Sequence, residues 1–184
     1  YLSNYEFGTD IKDAYFVDCG LTYSGSAATS LSGLNHLEGE KVVVLGDGAT
    51  HPDRTVSSGA ITLSRSVKKA HIGFNYISTL QTMRIDSGGA EGTSQGKTKR
   101  INNITLRLYK SVGVKVGSSE TELDLIPFRS SADDMSEALG MFTGDKEVEF
   151  RGGYDNDGFV FVKQDQPLPL TVLAIFPRLQ TFDQ

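Results

Sequence analysis

The sequence has no tryptophan, one cysteine, five prolines and three histidines in 184 residues. One cysteine, Cys19, excludes an internal disulfide framework, so packing must supply the stability. Its plainest reading is a small buried hydrophobe. A reactive thiol needs a base nearby, and the sequence links none of His36, His51 and His71 to Cys19. The histidines also lack metal-ligand spacing, with no HxH or HxxxH pair. There is no run of 18 apolar residues, so no transmembrane helix and no membrane insertion are expected. No charged-then-apolar leader opens the chain, and no secretion signal is expected. Tyr1 in place of Met reads as the start of a fragment or of a processed product. Basic residues are not in excess: 18 Lys and Arg stand against 23 Asp and Glu, for a net charge of −5. That balance argues against a dedicated nucleic-acid or anionic-membrane surface, where phosphate neutralisation supplies most of the binding.

What is present points to pleated sheet. Hydrophobic residues at 38% and charged residues at 22% are wrong for a disordered polymer, and no heptad runs through the chain. A chain of this length buries roughly 70% of its unfolded surface. Thr, Val and Ile are frequent and there are 20 glycines, a mix that suits strands separated by tight turns. Residues 14–19 read as a short strand, and the Ser/Gly/Ala/Thr stretch 24–32 as a loop or linker. Lys41 to Leu45 is a strand followed by Asp47-Gly48, a hairpin signal. Ser57-Ser58-Gly59 marks a second tight turn, and Ala70 to Phe74 another strand. Residues 87–96 read as a mobile loop or hairpin tip. From Thr98 to Tyr109, Ile104, Leu106 and Leu108 alternate with polar partners, which predicts a half-buried strand. Val112 to Val116, Leu123 to Phe128, Glu147 to Phe150, Phe159 to Val162 and Leu170 to Phe176 are further strands. Pro167 and Pro169 sit just before the last one. Asp133 to Leu139 is the one helical turn expected, with acids near its start.

The fold class is therefore all-β, with antiparallel sheets and at most one short helix, since no βαβ spacing exists. Residues 1–32 are expected to be an N-terminal strand and linker. Residues 33–80 are expected to form a small β-barrel or meander, and 81–184 an antiparallel, β-sandwich-like domain that packs as one unit.

Each motif that suggests chemistry has a plainer reading. Gly96-Lys97-Thr98 resembles a phosphate loop, but Glu91 stands where the first glycine belongs and a strand follows in place of a helix. Lys97, Lys99 and Arg100 are then a solvated hairpin base. Asp155-Asn156-Asp157-Gly158 resembles a calcium loop, but Gln166 replaces the closing glutamate, and a turn built on Asx residues is expected. His36 is expected to fix a loop through its ring, and His51, before Pro52, to be extended. No GxSxG elbow occurs. The acid pairs Asp133/Asp134 and Asp155/Asp157 lie in turn-like contexts that give no support to glycosidase work. No catalytic, cofactor-binding or metal residue is assigned, and no cofactor is expected.

Five blocks carry a resemblance. They are Phe16 to Tyr23; Gly33-Leu34-Asn35-His36-Leu37-Glu38-Gly39-Glu40-Lys41-Val42; Leu45 to Ala49; Gly96 to Ile101; and Gln166-Pro167-Leu168-Pro169-Leu170 to Ala174. In this order, over residues 14–182, they resemble the C-terminal region of tail proteins of tailed bacteriophages and prophages, of the nozzle or hub type. Some such proteins carry a label for a small FCCH-like β-barrel, named after a domain of ubiquitin-activating enzyme; it implies a shape and not ubiquitin chemistry. Cys19 departs from the small polar residue expected there. The resemblance implies a non-enzymatic structural part of a phage tail, made in the host cytoplasm and held in the virion. Its partners would be other tail subunits in a homo-oligomeric ring, with no specific nucleic acid. A mild negative charge would let DNA pass a lumen without adhering.

Two other functions compete. A binding module for host-surface glycan, or for another tail protein, suits loops and seven tyrosines on a β scaffold, although the lack of tryptophan weakens the sugar version. An enzyme acting on cell-wall polymer rests on the carboxylates alone.

Overall fold

The structure, a computed structural model, describes residues 8, 10–86, 88–89, 92–94, 96–135 and 137–182. Strands make up 56% of the chain and 3₁₀ turns 4%, which makes the fold all-β and antiparallel. The chain divides into two compact units. The first comprises Tyr1–Ile77, Phe128–Met141 and Asp165–Pro169; the second comprises Ser78–Pro127, Phe142–Gln164 and Leu170–Gln184.

The first unit holds one sheet of four strands: β1 (Asp18–Ser32), β2 (Lys41–Gly46), β3 (Ala49–Thr55) and β4 (Ala60–Phe74). Their order is β1-β4-β2-β3. Asp47 and Gly48 both have positive φ, at 49° and 82°. This two-residue turn matches the right-handed twist of the strands it joins. Ser58 and Gly59, at 54° and 65°, repeat the geometry between Ser57 and Ala60. A carboxylate stitches each turn to distant backbone. Asp47 accepts from the N–H groups of Lys68 and Lys69, and Glu38 from those of Ser58 and Gly59 at 2.8 and 2.6 Å. Beneath lies an apolar cluster that includes Leu31, Leu34, Leu37, Val42, Val44, Ile61 and Ile72.

Of the small barrel or meander expected for residues 33–80, the barrel is corrected: no sheet among the described residues closes on itself. β3 is an edge, and Pro52 shows why it stays one. The register slips between Val42↔Arg54 and Val44↔His51, so Pro52 lies at a bulge. Proline has no N–H to give a further strand. The stretch 24–32 is also not a linker but the second half of β1, which pairs Ser30, Leu31 and Ser32 with Thr62, Ile61 and Ala60. Small polar residues form a strand here because β4 supplies their hydrogen bonds. Residues 14–17 precede the strand, with Ala14 and Val17 buried. The helical turn expected at 133–139 is absent among its described residues. The Arg129 guanidinium takes the carbonyls of Asp134 and Glu137, and Asp133 accepts from the Ser130 N–H at 2.6 Å. Seven residues cannot offset the cost of a helix nucleus against such partners.

The second unit holds β5 (Ser78–Gln81), β6 (Gly88–Gly89), β7 (Gly92–Thr93), β8 (Thr98–Ser111), β9 (Lys115–Gly117), β10 (Leu123–Leu125), β11 (Phe142–Glu149), β12 (Phe161–Gln164) and β13 (Val172–Phe182). They form sheets of order β10-β9-β12-β5 and β11-β8-β13, with β6 and β7 as a two-stranded ribbon. That ribbon falls within the expected 87–96 loop, of which residues 87, 90, 91 and 95 lie outside the described residues. Ile104, Leu106 and Leu108 are fully buried, as period two requires. Val114, Val116, Val160 and Val162 bury the matching positions of the other sheet.

Candidate interaction surfaces

The outer face of β11-β8-β13 carries three aligned columns. Asp145, Glu147 and Glu149 on β11 stand opposite Arg107, Thr105 and Asn103 on β8. Phe176 and Arg178 on β13 stand opposite Thr105 and Asn103. The Arg107 guanidinium donates twice to Asp145, at 2.7 and 2.8 Å, and lies 5.2 Å over the Phe176 ring. Arg107 holds the Asp145 carboxyl below its ordinary pKa. Asn103 donates to Glu147 at 2.8 Å. Lower on the same face, Arg100 stacks 5.5 Å over Tyr154, whose ring meets the edge of Phe182 at 5.2 Å. Tyr154 is 61% exposed and Phe176 47%. Rigid aromatics beside arginine are common anchors of binding surfaces.

A shallow groove of about 340 Å³ runs between Gly117–Ser118, Thr121–Asp124 and Arg151. Its carboxylates are engaged: Glu122 accepts from Ser118 at 3.3 Å, and Asp124 faces Arg151 at 3.7 Å. The groove is polar and its lining holds no histidine.

The residues named by sequence as possible chemistry are dispersed. Lys99 is not solvated but 2% exposed, ion-paired with Asp86. Its backbone exchanges hydrogen bonds with Asp155 at 2.7 and 2.8 Å. Strict alternation from Ile104, Leu106 and Leu108 would turn Lys99 outward; a register irregularity between Ile101 and Asn103 shifts the buried parity, so Lys99 and Ile101 face inward. Asp155 accepts from the Gly158 N–H, Gly158 has φ 64°, and Asp157 pairs with Arg84 at 2.8 Å, so this segment is an Asx turn. Among the described residues, no three His, Cys, Asp or Glu side chains group as a metal site.

Cys19, the second residue of β1, is exposed, not buried, and its φ is 48°. His36 does connect to it, through the Cys19 carbonyl at 2.9 Å and not through the thiol. His71 is 4% exposed, with Nε2 at 3.0 Å from the Lys12 carbonyl and Nδ1 at 2.9 Å from the Thr22 hydroxyl. A carbonyl can only accept, so Nε2 carries the proton and Nδ1 accepts from Thr22. His51 accepts from Arg65 Nε at 3.1 Å. Burial pushes the pKa of both imidazoles down, and Arg65 and Arg54 push His51 further. All three histidines are therefore scaffold groups held by ring hydrogen bonds.

No protein-family model matches the chain, and no curated protein does either. No helix among the described residues is long and apolar enough to cross a membrane.

Proposed function

We propose that this chain is a non-enzymatic structural component of a bacteriophage tail, of the nozzle or hub type, held in the virion within a homo-oligomeric ring. One observation carries the reading: the residues of the tail-like blocks are used to build the scaffold. In the second block Leu34, Leu37 and Val42 are core, and Glu38 fastens a turn. In the third, Asp47 and Gly48 make a hairpin that Asp47 ties to β4. In the last, Pro167, Leu168 and Pro169 are all buried. A ring subunit needs such rigidity, and its contacts close by rotational symmetry. Cryo-electron microscopy of purified particles, with the chain identified by mass spectrometry, tests this. Density for a symmetric ring at the tail is expected; a chain recovered only outside particles removes the reading.

The arginine-stacked aromatics Phe176 and Tyr154, with Phe182 edge-on to Tyr154, favour a second reading, a binding face for host glycan. A glycan array on which the chain gives no hits would dispose of it.

A further inference from the structure

We infer that the free edge of β1 is a self-association site, at which a second copy of this chain adds its own β1 antiparallel about a twofold axis. β1 has β4 on one side and, among the described residues, no strand on the other. From Cys19 to Ser32 it holds no charged side chain and no proline. Natural sheet edges are guarded by charge, proline, bulges or shortness. Every other long edge of the sheets has at least one of the first two. β3 carries Pro52, Asp53 and Arg54; β11 carries Asp145, Lys146, Glu147 and Glu149; β13 carries Pro177 and Arg178. The remaining edges, β5 and β10, have four and three residues. β1 has 15, with register irregularities between Asp18 and Leu21 and from Ser24 to Ser30, so its regular segments are Leu21–Ser24 and Ser30–Ser32.

The same comparison selects the occupant. Pairing β1 with another edge of the same chain would meet a proline, a run of charges or a strand too short to hold it. β1 against β1 meets neither charge nor proline, and an isologous contact needs only one patch. Antiparallel pairing gives about one backbone hydrogen bond per residue. With the irregular stretches discounted, the regular segments offer about seven, within the range of a standard interface. A twofold axis at Ala27 sets Ser24 of one copy opposite Ser30 of the other; both are exposed. This inference rests on the sheet edge, and stands or falls apart from the tail reading.

The test is sedimentation equilibrium on the full 184-residue chain up to millimolar concentration, with amide hydrogen exchange. A monomer–dimer equilibrium is expected, with protection gained in β1 as concentration rises. Ser24→Lys with Ser30→Lys sets like charges opposite each other and should weaken the dimer about ten-fold or more. Ser24→Lys with Ser30→Glu should restore it, and Ser24→Thr with Ser30→Thr should retain it. Circular dichroism of each variant checks folding. A chain monomeric throughout, a double-lysine variant that folds and dimerises as well as the parent, or a Lys/Glu variant no better than the double lysine would overturn the inference. So would protection gained elsewhere but not in β1.

Discussion

The two units solve the same problem, a buried sheet face, in different ways. The first seals an apolar cluster, buries two neutral histidines, His51 and His71, and places its carboxylates at the rim, where Asp47 and Glu38 bind backbone N–H groups. The second admits polar groups to its interior and partners them there. Lys99 pairs with Asp86, Gln164 donates to the Val112 carbonyl at 2.8 Å, and Ser111 accepts from the Thr171 N–H at 2.8 Å. An apolar interior is specified by pattern and volume, whereas a polar one depends on individual partners, each costly to remove.

The largest effect should come from placing a charge where the second unit has none. Leu106→Asp buries an unpartnered carboxylate at a fully buried site and should cost about 4 kcal/mol or more. A urea titration that shows the variant melting as cooperatively as the parent would refute the register of β8. Next, Asp86→Ala strands the Lys99 ammonium and should cost about 3 kcal/mol, while Lys99→Met should fall within about 1 kcal/mol of the parent. Thermal melts that give the reverse order would show that the pair does not hold the interior together. In the first unit, Glu38→Ala removes an exposed carboxylate that serves two N–H groups, and about 1 kcal/mol is expected. A loss as large as that of Asp86→Ala would erase the contrast between the units.

The smallest effect is in pH. His51 and His71 have folded pKa values below their ordinary value near 6.5. In that range the unfolded chain binds the proton and the folded chain does not. Stability is thus fully present above about pH 6.5 and falls as the pH drops toward the lowered folded values. Melting temperatures from pH 8 to 5 should show the decline, and His71→Gln should flatten it. A stability that rises on acidification over that range would contradict the neutral tautomer assigned to His71.

Legibility in the sequence followed the same divide. Local signals were readable: Asp47-Gly48 and Ser58-Gly59 are turns whichever strand lies beside them, and the alternation from Ile104 to Leu108 sets one buried face. Long-range partners were not. Ser24 to Ser32 has the composition of a linker, and only β4, some thirty to forty-five residues on, makes its larger part a strand. Lys99 reads as a surface cation until Asp86 is placed beside it. The aromatic face was legible only as seven tyrosines, because the stacking of Arg100 on Tyr154 and of Arg107 on Phe176 joins separate segments.

The pairing of Asp18 with Phe74 sets an order of events. Hairpin β2–β3 turns over two residues and can form within roughly 10 µs. Ser30 to Ser32 meet their mates at the near end of β4, but Asp18 has none until the far end of β4 has been made. At roughly 5 to 20 residues per second of synthesis, it waits for several seconds beyond the ribosome. The strand born first in its sheet is therefore seated last, and chaperones would meet it bare.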